Sequence, residues 1–387
     1  MHGIRYQLNP GEILPFGPES GVISDQVAPG TAKDWSIYLG DEFEINDQWA
    51  LSGGLRYNFY TYLGPQTLPV YAEGEPFLNE NITGETRFQS GEPVQTYHGP
   101  EFRFSARYAL SNQSSLKAGV NSMRQNIHLL SNSSVITPTD TWKLSDSFLK
   151  PQQGIQYALG YFKNMNQGAF EFSAELYYRS MQNLLDYRSG ASIVLNDRIE
   201  QEVLVTQGKA YGMELYLKKS TGKVNGSLAY TYSRSLMQTD PTERKEQINR
   251  SEWYPSNFDQ PHNANFVGNY ELSKRINVTL AGKYSTGRPV TLPIAKFNYG
   301  GSERVYFSDR NSFRVPDYFR MDLSVNLEGN HKVAKLAHAS WSFGIYNILG
   351  RDNAYSVYFV PEAGKLKGYQ LAIFAEPIPF ITYNFRF

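Results

Sequence analysis

Apolar and polar residues alternate at every second position through most of this chain. In 49–59, Trp49, Leu51, Gly53, Leu55, Tyr57 and Phe59 share one face, while Ala50, Ser52, Gly54, Arg56 and Asn58 share the other. Segment 102–108 sets Phe102, Phe104, Ala106 and Tyr108 against Arg103, Ser105 and Arg107. Segment 170–179 sets Phe170, Phe172, Ala174, Leu176 and Tyr178 against Glu171, Ser173, Glu175 and Arg179. A period of two puts alternate side chains on opposite faces of an extended backbone, so each segment predicts a strand with one apolar and one polar face. Phe319, Met321, Leu323 and Val325 oppose Arg320, Asp322, Ser324 and Asn326 in the same way, and Ile381, Tyr383, Phe385 and Phe387 oppose Thr382, Asn384 and Arg386. The reading repeats around 34–44, 115–124, 155–161, 213–218, 224–233, 264–272, 276–284 and 341–347. With a stub at Gly3–Gln7, about fourteen strands result, most near the roughly 9–11 residues that cross a bilayer when tilted.

The connections alternate as well. Short ones fall at Asn46-Asp47, 111–113, 164–167, 221–223 and Lys274-Arg275, with a slightly longer turn at 329–338. Long polar ones fall at about 9–31, 63–96, 127–151, 188–200, 237–261, 291–315 and 350–368. A sandwich or propeller also alternates along its strands, but it has no reason to keep every short turn at one end. A transmembrane barrel has short periplasmic turns and long extracellular loops. The expected fold is therefore all-β: a single domain over 1–387 forming an antiparallel transmembrane barrel.

Composition narrows the function. With 37 basic and 37 acidic residues the formal charge is zero, which argues against a nucleic-acid partner. There is no cysteine, hence no disulfide framework, thiolate metal site or cysteine nucleophile. Aromatics reach 14%, led by 28 Tyr and 23 Phe, as the girdles of an outer-membrane barrel require. No apolar run of about 18 residues predicts a membrane helix. The start at Met1-His2-Gly3-Ile4-Arg5-Tyr6 has no charged and then apolar signal-peptide pattern.

The hairpin Ala32-Lys33-Asp34-Trp35-Ser36-Ile37-Tyr38-Leu39-Gly40-Asp41-Glu42-Phe43, followed by Ile45-Asn46-Asp47 and Gly53-Gly54-Leu55-Arg56-Tyr57, resembles one common in TonB-dependent outer-membrane receptors. Further stretches resemble the C-terminal barrel of such receptors from Bacteroidetes. Among them are His128-Leu129-Leu130-Ser131-Asn132, Lys150-Pro151-Gln152, Leu159-Gly160-Tyr161-Phe162-Lys163-Asn164 and Glu175-Leu176-Tyr177-Tyr178-Arg179-Ser180-Met181-Gln182-Asn183-Leu184. Others are Gly208-Lys209-Ala210-Tyr211-Gly212-Met213-Glu214, Tyr230-Thr231-Tyr232-Ser233-Arg234-Ser235, Trp253-Tyr254-Pro255 and Asp259-Gln260-Pro261-His262. The terminal Phe387 resembles the insertion signal of outer-membrane barrels. The resemblance runs from about residue 30 to the C-terminus. It implies a 22-stranded barrel around an N-terminal plug, of which this sequence shows the C-terminal part. The plug, its TonB-contacting motif, a signal peptide and about eight strands are the parts not seen.

Sites for other chemistry are weak. Asp259 and His262 lie near Ser251 and Ser256, but no nucleophile elbow surrounds either serine. The six histidines (2, 98, 128, 262, 331 and 338) lack metal spacing, and His331 and His338 flank a periplasmic turn. Glu171 and Glu175 share one strand face, where a wall-lining role is expected ahead of glycoside hydrolysis. No phosphate-binding glycine loop occurs. Asn132-Ser133-Ser134 and Asn277-Val278-Thr279 match a glycosylation pattern by chance. No catalytic residue, metal or cofactor is expected.

Function is instead expected on the long loops, which carry aromatic, amide and guanidinium groups suited to small ligands. The candidates are Trp142, Trp253, Tyr254, His262, Tyr299, Arg304, Tyr306 and Arg310. The residues expected to face the lumen and plug are Arg56, Arg103, Arg107, Glu171, Glu175, Arg179, Glu214, Arg320, Asp322 and Arg386. By resemblance the protein imports a scarce nutrient, such as a siderophore, cobalamin, oligosaccharide or peptide. Its expected partners are the TonB complex through the plug, outer-membrane lipids, and a surface lipoprotein as a further possibility. The alternatives are a self-closed passive channel of fourteen strands, a non-functional receptor fragment, a barrel enzyme, and an adhesive barrel.

Overall fold

A computed structural model describes residues 1–387 apart from 10–11, 14–24, 27, 132–140, 193–195, 243–245, 330–337, 363–364, 374 and 387. Fourteen strands follow one another in a single antiparallel path, each bonded to its neighbours in sequence. They are β1 (His2–Leu8), β2 (Gly30–Glu44), β3 (Trp49–Leu63), β4 (Pro93–Ser111), β5 (Ser114–Gln125), β6 (Gln152–Met165) and β7 (Phe170–Tyr187). Then come β8 (Val203–Lys219), β9 (Val224–Thr239), β10 (His262–Ser273), β11 (Ile276–Ser285), β12 (Tyr318–Glu328), β13 (His338–Tyr346) and β14 (Ile378–Arg386). The two-residue strand Tyr254–Pro255 pairs off the path against β9. Among the described residues, β1 pairs with β2 and β14 with β13, and neither has a second partner.

The periodicity predicted this sheet and its strand number, but it ended several strands early. β3 runs on to Leu63 because Tyr60 and Tyr62, on the otherwise polar face, are buried under loops. A face that loops cover can be aromatic, so the alternation fades while the ladder continues. The long connections are also less irregular than expected. They carry hairpins at Gln66–Tyr71/Ile82–Phe88, Ile127–Leu130/Thr141–Leu144, Pro293–Tyr299/Ser302–Phe307 and Ala354–Glu362/Lys365–Ala372.

The short turns lie at one end of the sheet. That between β2 and β3 is closed by Asn46, whose Oδ1 accepts from the backbone N–H of Gln48 and Trp49, both at 2.9 Å. This local bond is what makes Asn a turn former. The apolar face of the sheet is exposed: Leu55 is 55% accessible, Leu176 52% and Ile381 61%. For a sheet in water that would be a costly patch; in a bilayer it is the lipid surface. Aromatics pair on this face near the short turns, Trp49 with Tyr108 at 4.7 Å and Trp341 with Tyr383 at 4.6 Å. At the opposite end Tyr57 and Phe59 meet His98, and Tyr230 and Tyr232 meet His262. Two such belts suit the two membrane interfaces.

The buried core is at the long-loop end rather than mid-sheet. One cluster joins Ala32, Tyr60, Tyr62 and Leu144, a second Leu130, Leu149, Ile199 and Val203, and a third Leu204, Ile248 and Tyr254.

Candidate functional site

The long loops lock to the sheet and to one another through polar groups. The β5–β6 loop folds onto the inner face of β2, β3 and β4 at their outer ends. Tyr60 donates to the Ser145 carbonyl at 2.8 Å and Tyr97 to that of Asp146 at 2.7 Å. Asn58 and Asn126 both donate to the buried Asp34 carboxylate. The Asp146 carboxylate accepts from the N–H of Phe148 and Leu149, both at 2.9 Å, and pairs with Lys143 at 3.3 Å. Behind it His128 is buried, with Nε2 3.0 Å from Ser145 Oγ and Nδ1 3.2 Å from Gln152 Nε2. An amide N–H can only donate to Nδ1, so Nε2 carries the proton and the ring is neutral. Burial accordingly pushes the His128 pKa down to about 4, against an upward pull from Asp146.

The β3–β4 and β7–β8 loops meet at Glu200. Its carboxylate accepts from Tyr71 Oη at 2.7 Å, and Gln201 Nε2 donates to the same hydroxyl at 3.0 Å. Burial raises the Glu200 pKa, and the tyrosine bond works against that rise. Arg198 and Gln201 also reach Asn79 Oδ1, at 2.6 and 3.0 Å.

A third lock surrounds Asp186 at the outer end of β7. Arg310 Nη1 lies 2.6 Å from one carboxylate oxygen, and Tyr254 Oη donates to the other at 2.6 Å. The Arg310 backbone also exchanges hydrogen bonds with the Asn249 amide, at 2.8 and 3.1 Å. Burial, and then Asp186, hold the Tyr254 phenol well above the usual tyrosine range. Nearby, the fully buried Asp259 carboxylate is clasped by Arg234 (3.1 Å) and Arg314 and accepts from the Ser235 N–H at 2.7 Å.

These contacts divide the eight loop residues singled out from sequence. Trp142, Trp253, Tyr299, Arg304 and Tyr306 are exposed; Tyr299 and Tyr306 reach 72% and 59%. Tyr299, Arg304 and Tyr306 share the hairpin 293–307, and Lys209 Nζ stands 3.8 Å over the Trp253 ring. Tyr254 and Arg310 belong to the Asp186 lock. His262 lies at the outer aromatic belt, its Nδ1 2.9 Å from Tyr230 Oη. Asp259, Ser256 and His262 do not converge, because Asp259 faces two arginines and Ser256 Oγ donates to Ser235 Oγ at 2.8 Å.

The wall residues lie along the polar face. Arg56 pairs with Glu101 at 3.5 Å, Lys218 with Glu171 at 3.0 Å and Arg320 with Asp322 at 2.7 Å. Arg179 donates from Nε to Gln156 Oε1 at 3.0 Å. Glu175 stands opposite Glu214 in the β7–β8 ladder, a like-charge pair that repels unless a cation joins it. Arg103 and Arg107 form no ion pair among the described residues. The backbone of Arg386 pairs with His338, but both side chains, like His331, Asn132 and Phe387, lie outside what the structure describes.

Sequence reasoning missed Asp186, Glu200, and a ring cluster of Tyr71, Phe77 and Phe148. Tyr71 and Phe77 lie 4.8 Å apart, and Phe148 meets them edge-on at 5.7 and 5.3 Å. All sit in or beside loops without periodicity, where residue type alone does not reveal a partner in another loop. The whole arrangement is a cross-braced outer rim bearing exposed aromatic and guanidinium groups above a charged polar wall.

A protein-family model described as TonB dependent receptor-like, beta-barrel, matches residues 2–348. A search of curated proteins finds no match. Solved structures with the same fold include the ferric-catecholate import receptor Fiu from E. coli K12 in its closed form, at 14% identity and a TM-score of 0.58, covering 99% of this chain and 50% of that one. The ferric yersiniabactin uptake receptor FyuA from Yersinia pestis matches at 13% identity and a TM-score of 0.58, covering 93% of this chain and 46% of that one. The unliganded ferric citrate transporter FecA gives 12% identity and a TM-score of 0.58, with 95% and 47% covered. The chain thus spans about half the length of the solved structures it matches.

Proposed function

Because the chain belongs to the family of TonB-dependent receptor-like β-barrels and is an integral protein of the bacterial outer membrane, we propose that it serves active uptake of a scarce nutrient. The ligand binds first at the exposed loop groups Trp142, Trp253, Tyr299, Arg304 and Tyr306. Rings stack on an apolar or sugar surface, and the guanidinium orients an anionic or carbonyl group. Tyr254 and Arg310 hold the loops that present these groups. The inner wall, with Arg56, Arg103, Arg107, Glu171, Glu175, Arg179, Glu214, Arg320, Asp322 and Arg386, faces a plug whose position TonB controls. Arg103 and Arg107, in no ion pair among the described residues, and the opposed Glu175 and Glu214 are the groups a plug of complementary charge would engage.

The observation that carries the reading is the cross-bracing of the loops, which holds exposed binding groups at one end of a membrane sheet. Ligand binding must favour one plug arrangement over another for energy to be coupled to it. The ligand class remains a siderophore, cobalamin, oligosaccharide or peptide, and a surface lipoprotein is a further partner.

The test is uptake by cells carrying the full-length protein, with and without TonB, across a panel of those four classes. One class should accumulate only when TonB is present. Uptake equal in both strains would overturn the proposal in favour of a passive channel. For the accumulated ligand, Tyr306→Ala and Trp253→Ala should each weaken cell-surface binding by about tenfold, the worth of roughly 1.4 kcal/mol of ring contact.

A further inference from the structure

A recess of about 370 Å³ opens between the β3–β4 loop and the Ser147–Phe148 segment of the β5–β6 loop. Its walls are mostly apolar and include Tyr71, Phe77, Phe88 and Phe148. The hydroxyl of Tyr71 is held by Glu200 and Gln201, so this residue offers the recess its ring and not a hydrogen-bonding group. Contacts with both Tyr71 and Phe77 set Phe148 in a fixed edge-on position. The lining also includes Glu73 and Glu75 and, among the described residues, no Lys, Arg or His. Neither carboxylate is in an ion pair among the described residues. The charge of the whole β3–β4 loop agrees: residues 64–92 hold Glu73, Glu75, Glu80, Glu85 and Glu92 against Arg87 alone.

The rings offer an apolar surface, and the carboxylates of Glu73 and Glu75 attract a cation and repel an anion. We propose that this recess binds an organic cation, an ammonium or guanidinium group carried on an apolar or aromatic body. The apolar body fills the ring-lined part and the charge lies toward Glu73 and Glu75. This assignment rests on the uptake reading only for its biological use, since it narrows one loop site to cationic ligands.

The test is equilibrium binding of phenethylammonium to the full-length protein in detergent at neutral pH. Phenylethanol and 3-phenylpropanoate serve as the neutral and anionic counterparts. The cation should bind most tightly and the anion least. The double variant Glu73→Gln/Glu75→Gln, which changes two surface groups without changing their shape, should weaken the cation about tenfold while leaving phenylethanol unmoved. Phe148→Ala should weaken both cation and alcohol. Equal binding of cation and anion, or a double variant that binds the cation as tightly as the parent, would overturn the proposal. The measurement needs neither TonB nor a proton gradient, so its failure would leave the uptake reading standing, and failed uptake would leave this site standing.

Discussion

Individual side chains at the rim do two kinds of work, and His128 shows how tightly the bracing kind is set. Its folded pKa, about 4, lies below the ordinary 6.5, so the unfolded loop takes up a proton first as pH falls. The contribution to stability is complete above pH 6.5 and declines through the window down to about pH 4. Its full size is about 3 kcal/mol, from the 1.36 kcal/mol that each unit represents. Hydrogen exchange across residues 126–131 and 141–151, corrected for its intrinsic pH dependence, should show protection falling through that window. The falling component should be missing in His128→Gln, where the amide stays neutral. An identical profile in both proteins would mean that the ring is not held neutral. In the sequence His128 reads as one of six unremarkable histidines. Asp186 is equally silent, and Asp259 stands out there only beside His262, because their arginine partners lie elsewhere in the chain and periodicity carries no information about such pairings.

Strands were far more legible than the segments joining them. Burial of one face imposes a period of two, and the membrane imposes it on every strand alike, so the fourteen strands stand out in the sequence. Where the loops press on the inner face that constraint lapses, which is why β3 outruns its alternation at Tyr60 and Tyr62. The loop hairpins are held by contacts among loops, and nothing local marks them. Within β9, Gly226 sits at φ +153, and a Cβ there would run into the Val267 carbonyl of β10. Gly226→Ala should therefore cost about 1–3 kcal/mol through backbone strain. Loss of the folded, fast-migrating form in unboiled gel electrophoresis should begin at a lower temperature than in the parent. An unchanged transition would show that the β9–β10 ladder can shift to admit a methyl group.

At the scale of the molecule, the sheet has two edges, β1 and β14, without a second partner among the described residues. Lipid offers no hydrogen bonds, and each unsatisfied backbone group costs several kcal/mol there. The fourteen strands by themselves should accordingly give no heat-resistant folded form in the outer membrane. Embedded with further strands that pair both edges, they should. Gel migration and single-channel conductance of the two preparations decide it. A stable conducting pore from the fourteen strands alone would favour the self-closed passive channel.

The latch between Asp186 and Arg310 ties together positions 124 residues apart. It sets the size of the piece that can be exchanged between related genes. A crossover falling between the two codons would join an acid from one lineage to whatever occupies position 310 in another, and the rim would come apart. The hairpin bearing Tyr299, Arg304 and Tyr306 has its own ladder and could be traded as a cassette. Diversification by recombination should therefore show paired breakpoints on either side of such a hairpin, which leave positions 186 and 310 in one lineage, and few single crossovers between those two codons.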